Sequence, residues 1–142
     1  MMTTMTAELD KLAKAAAERG KPYRILIVDD ERWVRDVFKD FCDLTQAFEI
    51  ELAGSGTEAI EKIEAGRFDL VTMDLIMPEM SGVDALSEIK ARAPKTPVMV
   101  ITGNATDRMV TQAGVQGACR VMYKPILLEE FVAEVSRSLG IK

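Results

Sequence analysis

The 142-residue chain contains no histidine. That absence excludes histidine-based catalytic triads, imidazole metal sites and phosphohistidine chemistry on this polypeptide. Carboxylates, hydroxyls, lysine and a bound metal ion are what remain for any reaction. Cysteine is scarce as well. Cys42 and Cys119 lie far apart and form no C-x-x-C pattern, which argues against a redox pair or a zinc site and predicts two ordinary buried thiols. No apolar run approaches the roughly 18 residues that span a bilayer, so no membrane insertion is expected. The N-terminal stretch MMTTMTAELDKLAKAAAERGK mixes acids and bases where a secretory signal needs a continuous apolar segment, and a cytoplasmic location is expected. A basic run is missing too, and the net charge is −5. Direct nucleic-acid binding is therefore not expected, because neutralising phosphates supplies most of that affinity.

Hydrophobic residues make up 48% of the chain and charged ones 29%, an ordinary balance for one globular domain. From residue 23 onwards, short β-branched patches alternate with helical patterns. The patches are YRILIV (23–28), FEIELA (48–53), FDLVTM (68–73), TPVMVIT (96–102) and CRVMY (119–123). Between the first two, Trp33, Val34, Val37, Phe38, Phe41 and Leu44 recur at three- and four-residue steps, predicting one apolar helix face turned to the core. Segments 57–65, 83–92, 105–114 and 127–139 repeat that pattern. Regular alternation predicts an α/β domain over 23–142: right-handed βαβ units in a doubly wound, five-stranded parallel sheet covered on both faces. Residues 1–22 stand apart as an N-terminal helical extension. Met5, Leu9, Leu12, Ala13 and Ala16 form its apolar stripe, and Gly20 with Pro22 stop it.

The strand ends carry the chemistry. Strand 1 runs into Asp29 and Asp30, strand 3 into Asp74, strand 4 ends in Thr102, and strand 5 runs into Lys124. In an open parallel sheet all these ends share one edge, and with order 2-1-3-4-5 the switch point falls between strands 1 and 3. Three carboxylates and one ammonium leave excess negative charge, and like charges about 4 Å apart repel by roughly 4 kcal/mol at an effective dielectric near 20. A divalent cation restores balance, and oxygen ligands without His or Cys select a hard one, Mg2+. A carboxylate beside Mg2+, with a lysine and a hydroxyl close by, suits phosphoryl transfer to Asp74. Lys124 then offsets charge on the transferring oxygens, and Thr102 hydrogen-bonds the phosphoryl group.

The stretches ILIVDDE (25–31), DLVTMDLIMPEMSG (69–82), VMVITG (98–103) and YKP (123–125) resemble, in order and spacing, the receiver domain of bacterial two-component response regulators. The resemblance covers residue 23 to about residue 140 and implies a flavodoxin-like (βα)5 fold. It implies that Asp74 is the phosphoacceptor, that Asp29, Asp30, Asp74 and the Ile76 carbonyl form the Mg2+ site, and that Thr102 and Lys124 are the switch hydroxyl and the pocket lysine. It also implies a cis bond before Pro125, and a loop after the acceptor shaped by Pro78 and by the angles Gly82 admits. Implied partners are a sensor histidine kinase or histidine phosphotransfer protein, and a downstream protein on the face of helix 4, strand 5 and helix 5, counted from residue 23 (106–114, Val121 and 129–137).

Some features depart from the family. Val121 stands where receivers usually carry an aromatic residue, and Tyr123 adjoins Lys124 instead. Ile76 and Asn104 occupy positions that influence water access to the acyl phosphate, and slow self-dephosphorylation is expected. The chain stops soon after its fifth core helix, so signalling through surface contacts is expected rather than an effector domain. The expected role is a stand-alone phosphoacceptor that catalyses only its own phosphorylation and dephosphorylation. A phosphorylation-independent scaffold of the same fold is the alternative. A Mg2+-dependent phosphohydrolase fits less well, since VDDERW lacks the D-x-D of such enzymes. Taken singly, Asp29 or Asp30 also reads as an N-cap for the Trp33 helix, and Trp33 as helix packing.

Overall fold

The computed structural model describes residues 4–141. Five strands, β1 (Tyr23–Val28), β2 (Phe48–Ala53), β3 (Leu70–Met73), β4 (Val98–Thr102) and β5 (Arg120–Tyr123), form one parallel sheet in the order β2-β1-β3-β4-β5. Helices α2 (Arg32–Cys42), α3 (Gly56–Ala65), α4 (Gly82–Arg92), α5 (Asp107–Val115) and α6 (Leu128–Ser138) join them, and α1 (Thr4–Arg19) precedes the first strand. The expected doubly wound architecture is the one observed.

Alternation along the strands divides the core into two layers. Leu26 and Val28, Val71 and Met73, and Val98 and Val100 point to one face, where Ala59 and Ile63 of α3, Leu86 and Ile89 of α4 and Ala113 of α5 cover them. Ile25 and Ile27, Leu70, and Met99 and Ile101 point to the other, against Val34 and Phe38 of α2 and Phe131 and Val135 of α6. Phe38 and Phe131 stack there with ring centroids 4.9 Å apart. Three helices start on side-chain caps: Ser55, Ser81 and Thr106 accept from the backbone N–H groups of Glu58, Asp84 and Met109.

Two expectations about apolar side chains are corrected. Trp33 is not packed in the core; it is 65% exposed, and Val37 and Leu44 are exposed as well. The three-and-four spacing identifies a helix face, but α6 covers only the side carrying Val34, Phe38, Phe41 and Cys42. Cys42 is buried, and burial pushes its thiol pKa up to about 12, whereas Cys119 is exposed at the entry to β5.

Helix α1 is docked on the domain. Leu12 and Ala16 pack on Ala47 and on Val132 of α6, with Leu128 and Leu139 beside them. On another flank of α6, Glu134 pairs with Arg120 of β5 at 2.9 Å, whereas α1 packs on the flank that carries Leu128, Val132 and Leu139. At the helix end the Arg19 guanidinium lies 4.1 Å from the Tyr23 ring centroid and 3.3 Å from Asp69. Leu12 is fully buried, and Leu12→Ala is expected to lower unfolding free energy by about 2–3 kcal/mol. Urea titration checks this; a loss under about 0.5 kcal/mol means α1 adds nothing to the domain.

Candidate functional site

Three backbone hydrogen bonds extend the sheet ladder by one residue and so fix the candidate side chains at its carboxyl edge. Asp29 N–H donates to Ala53 O at 3.1 Å, Asp74 N–H to Val28 O at 3.1 Å, and Lys124 N–H to Thr102 O at 2.9 Å. The Lys124–Pro125 bond is cis, as the resemblance implies.

From there the side chains converge. The Lys124 ammonium donates to Asp29 Oδ2 and to Asp74 Oδ2, both at 2.8 Å. Thr102 Oγ1 donates to Asp74 Oδ1 at 2.9 Å, and the Ile76 N–H donates to the same oxygen at 2.9 Å. Asp29 Oδ1 accepts from the Glu31 N–H at 3.0 Å. Asp29, Asp74 and Thr102 are 2%, 5% and 0% exposed. A carboxylate buried that deeply costs several kcal/mol unless charge and hydrogen bonds offset it. Here three donors do so for Asp74, which explains how an acid is tolerated at the end of an apolar strand. Lys124 and Thr102 both donate from their side chains to this carboxylate.

Two buried carboxylates share one cation, and the titration tendencies follow. Burial pushes the Asp29 pKa up; the hydrogen bonds from Lys124 and from the Glu31 N–H only partly oppose it, and the Asp74 charge adds to the rise. For Lys124, burial favours the neutral amine, but hydrogen bonds to Asp29 and Asp74 outweigh it and hold the ammonium protonated.

Asp30 is exposed at the rim, and its carboxylate lies with those of Asp29 and Glu31 in a cluster whose ligand oxygens fall within 4.8 Å of one another. Sequence reasoning missed Glu31 as part of this group, although the run Asp29-Asp30-Glu31 was the available signal. None of the three caps α2 through its side chain: the N-cap is Glu31, whose carboxylate accepts from Trp33 Nε1 at 2.8 Å rather than from a backbone N–H of the first turn. Arg35 was missed also. It donates from Nη1 to the Asp29 carbonyl at 2.5 Å, tying α2 to the acidic loop. Ile76 enters the site through its N–H and is partly exposed at the rim.

The loop beyond Asp74 departs from expectation. Glu79, not Gly82, takes the positive φ, 70°, in a tight turn closed by Met80 N–H on Pro78 O at 2.8 Å. Gly82 sits at the start of α4, where its N–H donates to Leu75 O at 3.0 Å. A Cβ there would fall 2.5 Å from Asp74 O and 2.8 Å from Leu75 C. The glycine is needed for close approach rather than for an unusual angle.

Sheet order and pocket together define a flavodoxin-like α/β domain with an acidic, lysine-bridged site at its switch point. Residues 25–136 match the family described as response regulator receiver domain. The chain belongs to that family, whose members bind Mg2+ at an acidic pocket. Among curated proteins, it is 35% identical over 119 residues to the chemotaxis protein CheY of Bacillus subtilis, covering 83% of this chain and 98% of that one. It is 40% identical over 105 residues to CheY of Thermotoga maritima, covering 72% and 85%. Among solved structures, a CheY-like receiver domain protein from Methanospirillum hungatei superposes with a TM-score of 0.82 at 27% identity, covering 84% of this chain and 95% of that one. Helix α1 lies outside the matched span.

Proposed function

We propose that this chain is a stand-alone phosphoacceptor switch: residues 23–142 form the receiver unit, Asp74 takes the phosphoryl group, and 1–22 append a helix. The reading rests on family membership and on one observation, the buried Asp74 carboxylate held by Thr102, Ile76 N–H and an ammonium shared with Asp29. In the reaction an Asp74 carboxylate oxygen forms a bond to phosphorus while the bond from phosphorus to the donor breaks, and the donor keeps that electron pair. Lys124 and Thr102 then turn their hydrogen bonds to the oxygens of the transferred group. With no histidine in the chain, the donor is a separate molecule: a histidine kinase, a histidine phosphotransfer protein or a small phosphodonor.

The donor set fits Mg2+. It offers oxygen ligands only, from Asp29, Asp30 and Asp74, with the Ile76 carbonyl as the family's further ligand, and a hard cation prefers such a set. Bound there, Mg2+ supplies charge neutralisation for the transfer. Glu31 lies within the same cluster and adds to its negative charge. We assign the chain to the cytoplasm; among the described residues no helix is long and apolar enough to cross a membrane.

Output runs through the α5–β5–α6 face. Tyr123, Leu127 and Val115 are exposed on its elements, and Val121, in the place of the usual aromatic, packs half-buried against the core. Phosphorylation shifts the equilibrium between two forms of that face by no more than the difference in the phosphate's interaction with them.

Incubating the protein with acetyl phosphate and Mg2+ and measuring intact mass tests the reading. A single phosphoryl adduct that requires Mg2+ supports it; no adduct favours the scaffold, and turnover of phosphate esters favours a hydrolase. The adduct is expected to decay slowly, because Ile76 offers no polar group to orient water and Asn104 is exposed. Ile76→Gln is expected to speed loss of label by about tenfold. Equal lifetimes in the two proteins reject that explanation.

A further inference from the structure

We propose that the sheet edge opposite the acidic pocket is a binding site for a small anion carrying two or more phosphate groups. At the amino ends of the strands a cavity of about 510 Å3 opens between the end of α1, the start of β1, the approach to β3 and the loop before β4. That volume suits a nucleotide-sized ligand. Five cationic side chains line it: Arg19, Lys21, Arg24, Arg67 and Lys95.

Two of these are already engaged. Arg19 pairs with Asp69 at 3.3 Å, and Arg24 pairs with Glu51 and donates from Nη1 to the Arg67 carbonyl at 2.6 Å. Asp69 accepts a second time, from the Arg24 N–H at 2.8 Å, and its charge is answered by Arg19. The remaining carboxylate on the wall, Glu49, lies 4.0 Å from Arg24 Nε. Lys21, Arg67 and Lys95 are exposed, and among the described residues none of them pairs with a carboxylate or donates a side-chain hydrogen bond to a helix carbonyl.

They are therefore neither members of surface ion pairs nor caps of helix ends. Three uncompensated positive charges, brought from three separate segments, face one concavity in a chain whose net charge is −5. A monoanion would leave most of that charge unanswered, whereas a diphosphate carries roughly the matching negative charge. Guanidinium and ammonium groups are the side chains that recognise it. Pro22 and Pro97 add rigid apolar wall beside the cations, where a base or sugar has room. Because Arg19 and Lys21 stand at the end of α1, an occupant also ties that helix to the β3 and β4 approaches. This inference does not depend on the phosphoacceptor reading.

The test is calorimetric titration of the full chain with pyrophosphate, ADP and inorganic phosphate, in buffer stripped of divalent cations so that the acidic pocket repels anions. Saturable one-site binding of pyrophosphate or ADP is expected, with inorganic phosphate at least about tenfold weaker and affinity falling as salt rises. Charge reversal at two exposed positions, Arg67→Glu with Lys95→Glu, is expected to weaken binding by at least about tenfold. Circular dichroism confirms that this variant is folded, and Lys21→Glu serves as an independent second variant. ADP binding more tightly than pyrophosphate identifies a nucleotide ligand, and equal affinities identify the phosphates alone. Absence of saturation with all three probes overturns the proposal, as does unchanged affinity in the variants.

Discussion

Asp74→Asn is expected to abolish phosphoryl uptake from acetyl phosphate while leaving unfolding free energy within about 1 kcal/mol of the wild type. The two halves of this expectation have different origins. The amide cannot attack phosphorus as a carboxylate does, so no adduct forms. Its oxygen still accepts from Thr102 Oγ1 and the Ile76 N–H, the two donors that now meet Asp74 Oδ1 at 2.9 Å. What is lost is the ion pair with Lys124, whose ammonium then faces the amide NH2 and keeps Asp29 as its carboxylate partner. Against that stands a lesser relief of repulsion, since burial chiefly, and the Asp74 charge in small part, lift the Asp29 pKa.

Asp74→Ala separates the effects. It too removes the adduct, but it leaves Thr102, the Ile76 N–H and one direction of Lys124 without an acceptor in a buried pocket, at a cost of about 1–3 kcal/mol. Intact mass and urea titration of both variants decide the matter. A phosphoryl adduct on Asp74→Asn would move the acceptor to another carboxylate and remove the central residue from the proposed mechanism.

The fold and the converging pocket were largely legible in the sequence, for a physical reason. A parallel sheet buries its strands on both faces, so they read as apolar runs, and chain direction alone places all carboxyl ends on one edge. Asp29, Asp74, Thr102 and Lys124 could thus be assigned to one edge before any distance was known. Properties set by neighbours across the fold were not legible. The spacing that places Val34 and Phe38 inward includes Trp33 equally, and only the limited reach of α6 leaves Trp33 in solvent. Cys119 lies outside because β5 is an edge strand. The docking of α1 on Val132 and Ala47 needed the relative placement of three segments, which an alanine-rich stripe does not encode. Gly82 was expected for the right chain position and the wrong cause, because turn chemistry suggests unusual angles whereas the close approach of Leu75 is tertiary.

That approach makes Gly82→Ala the substitution expected to damage the domain most. Helix propensity favours the change by at most about 1 kcal/mol, and less at the first helical position. Opposing it, the new Cβ would lie 2.5 Å from the Asp74 carbonyl oxygen and 2.8 Å from the Leu75 carbonyl carbon, with Leu75 Cα closer still. These are backbone atoms of the segment leaving β3, so no side-chain rotation relieves the overlap. Either α4 withdraws, opening the layer where Ala85, Leu86 and Ile89 are fully buried, or the 74–75 peptide moves and takes the Asp74 carboxylate with it. Withdrawal is expected to cost about 4 kcal/mol, at the upper end of single-residue effects, because it combines overpacking with lost burial. Movement of the peptide is expected to spare more stability and slow phosphorylation instead. Urea unfolding together with the initial rate of adduct formation distinguishes the two routes. A variant that matches the wild type in both would show that the loop from Leu75 to Ser81 yields freely, and that the junction of β3 and α4 does not hold Asp74 in place.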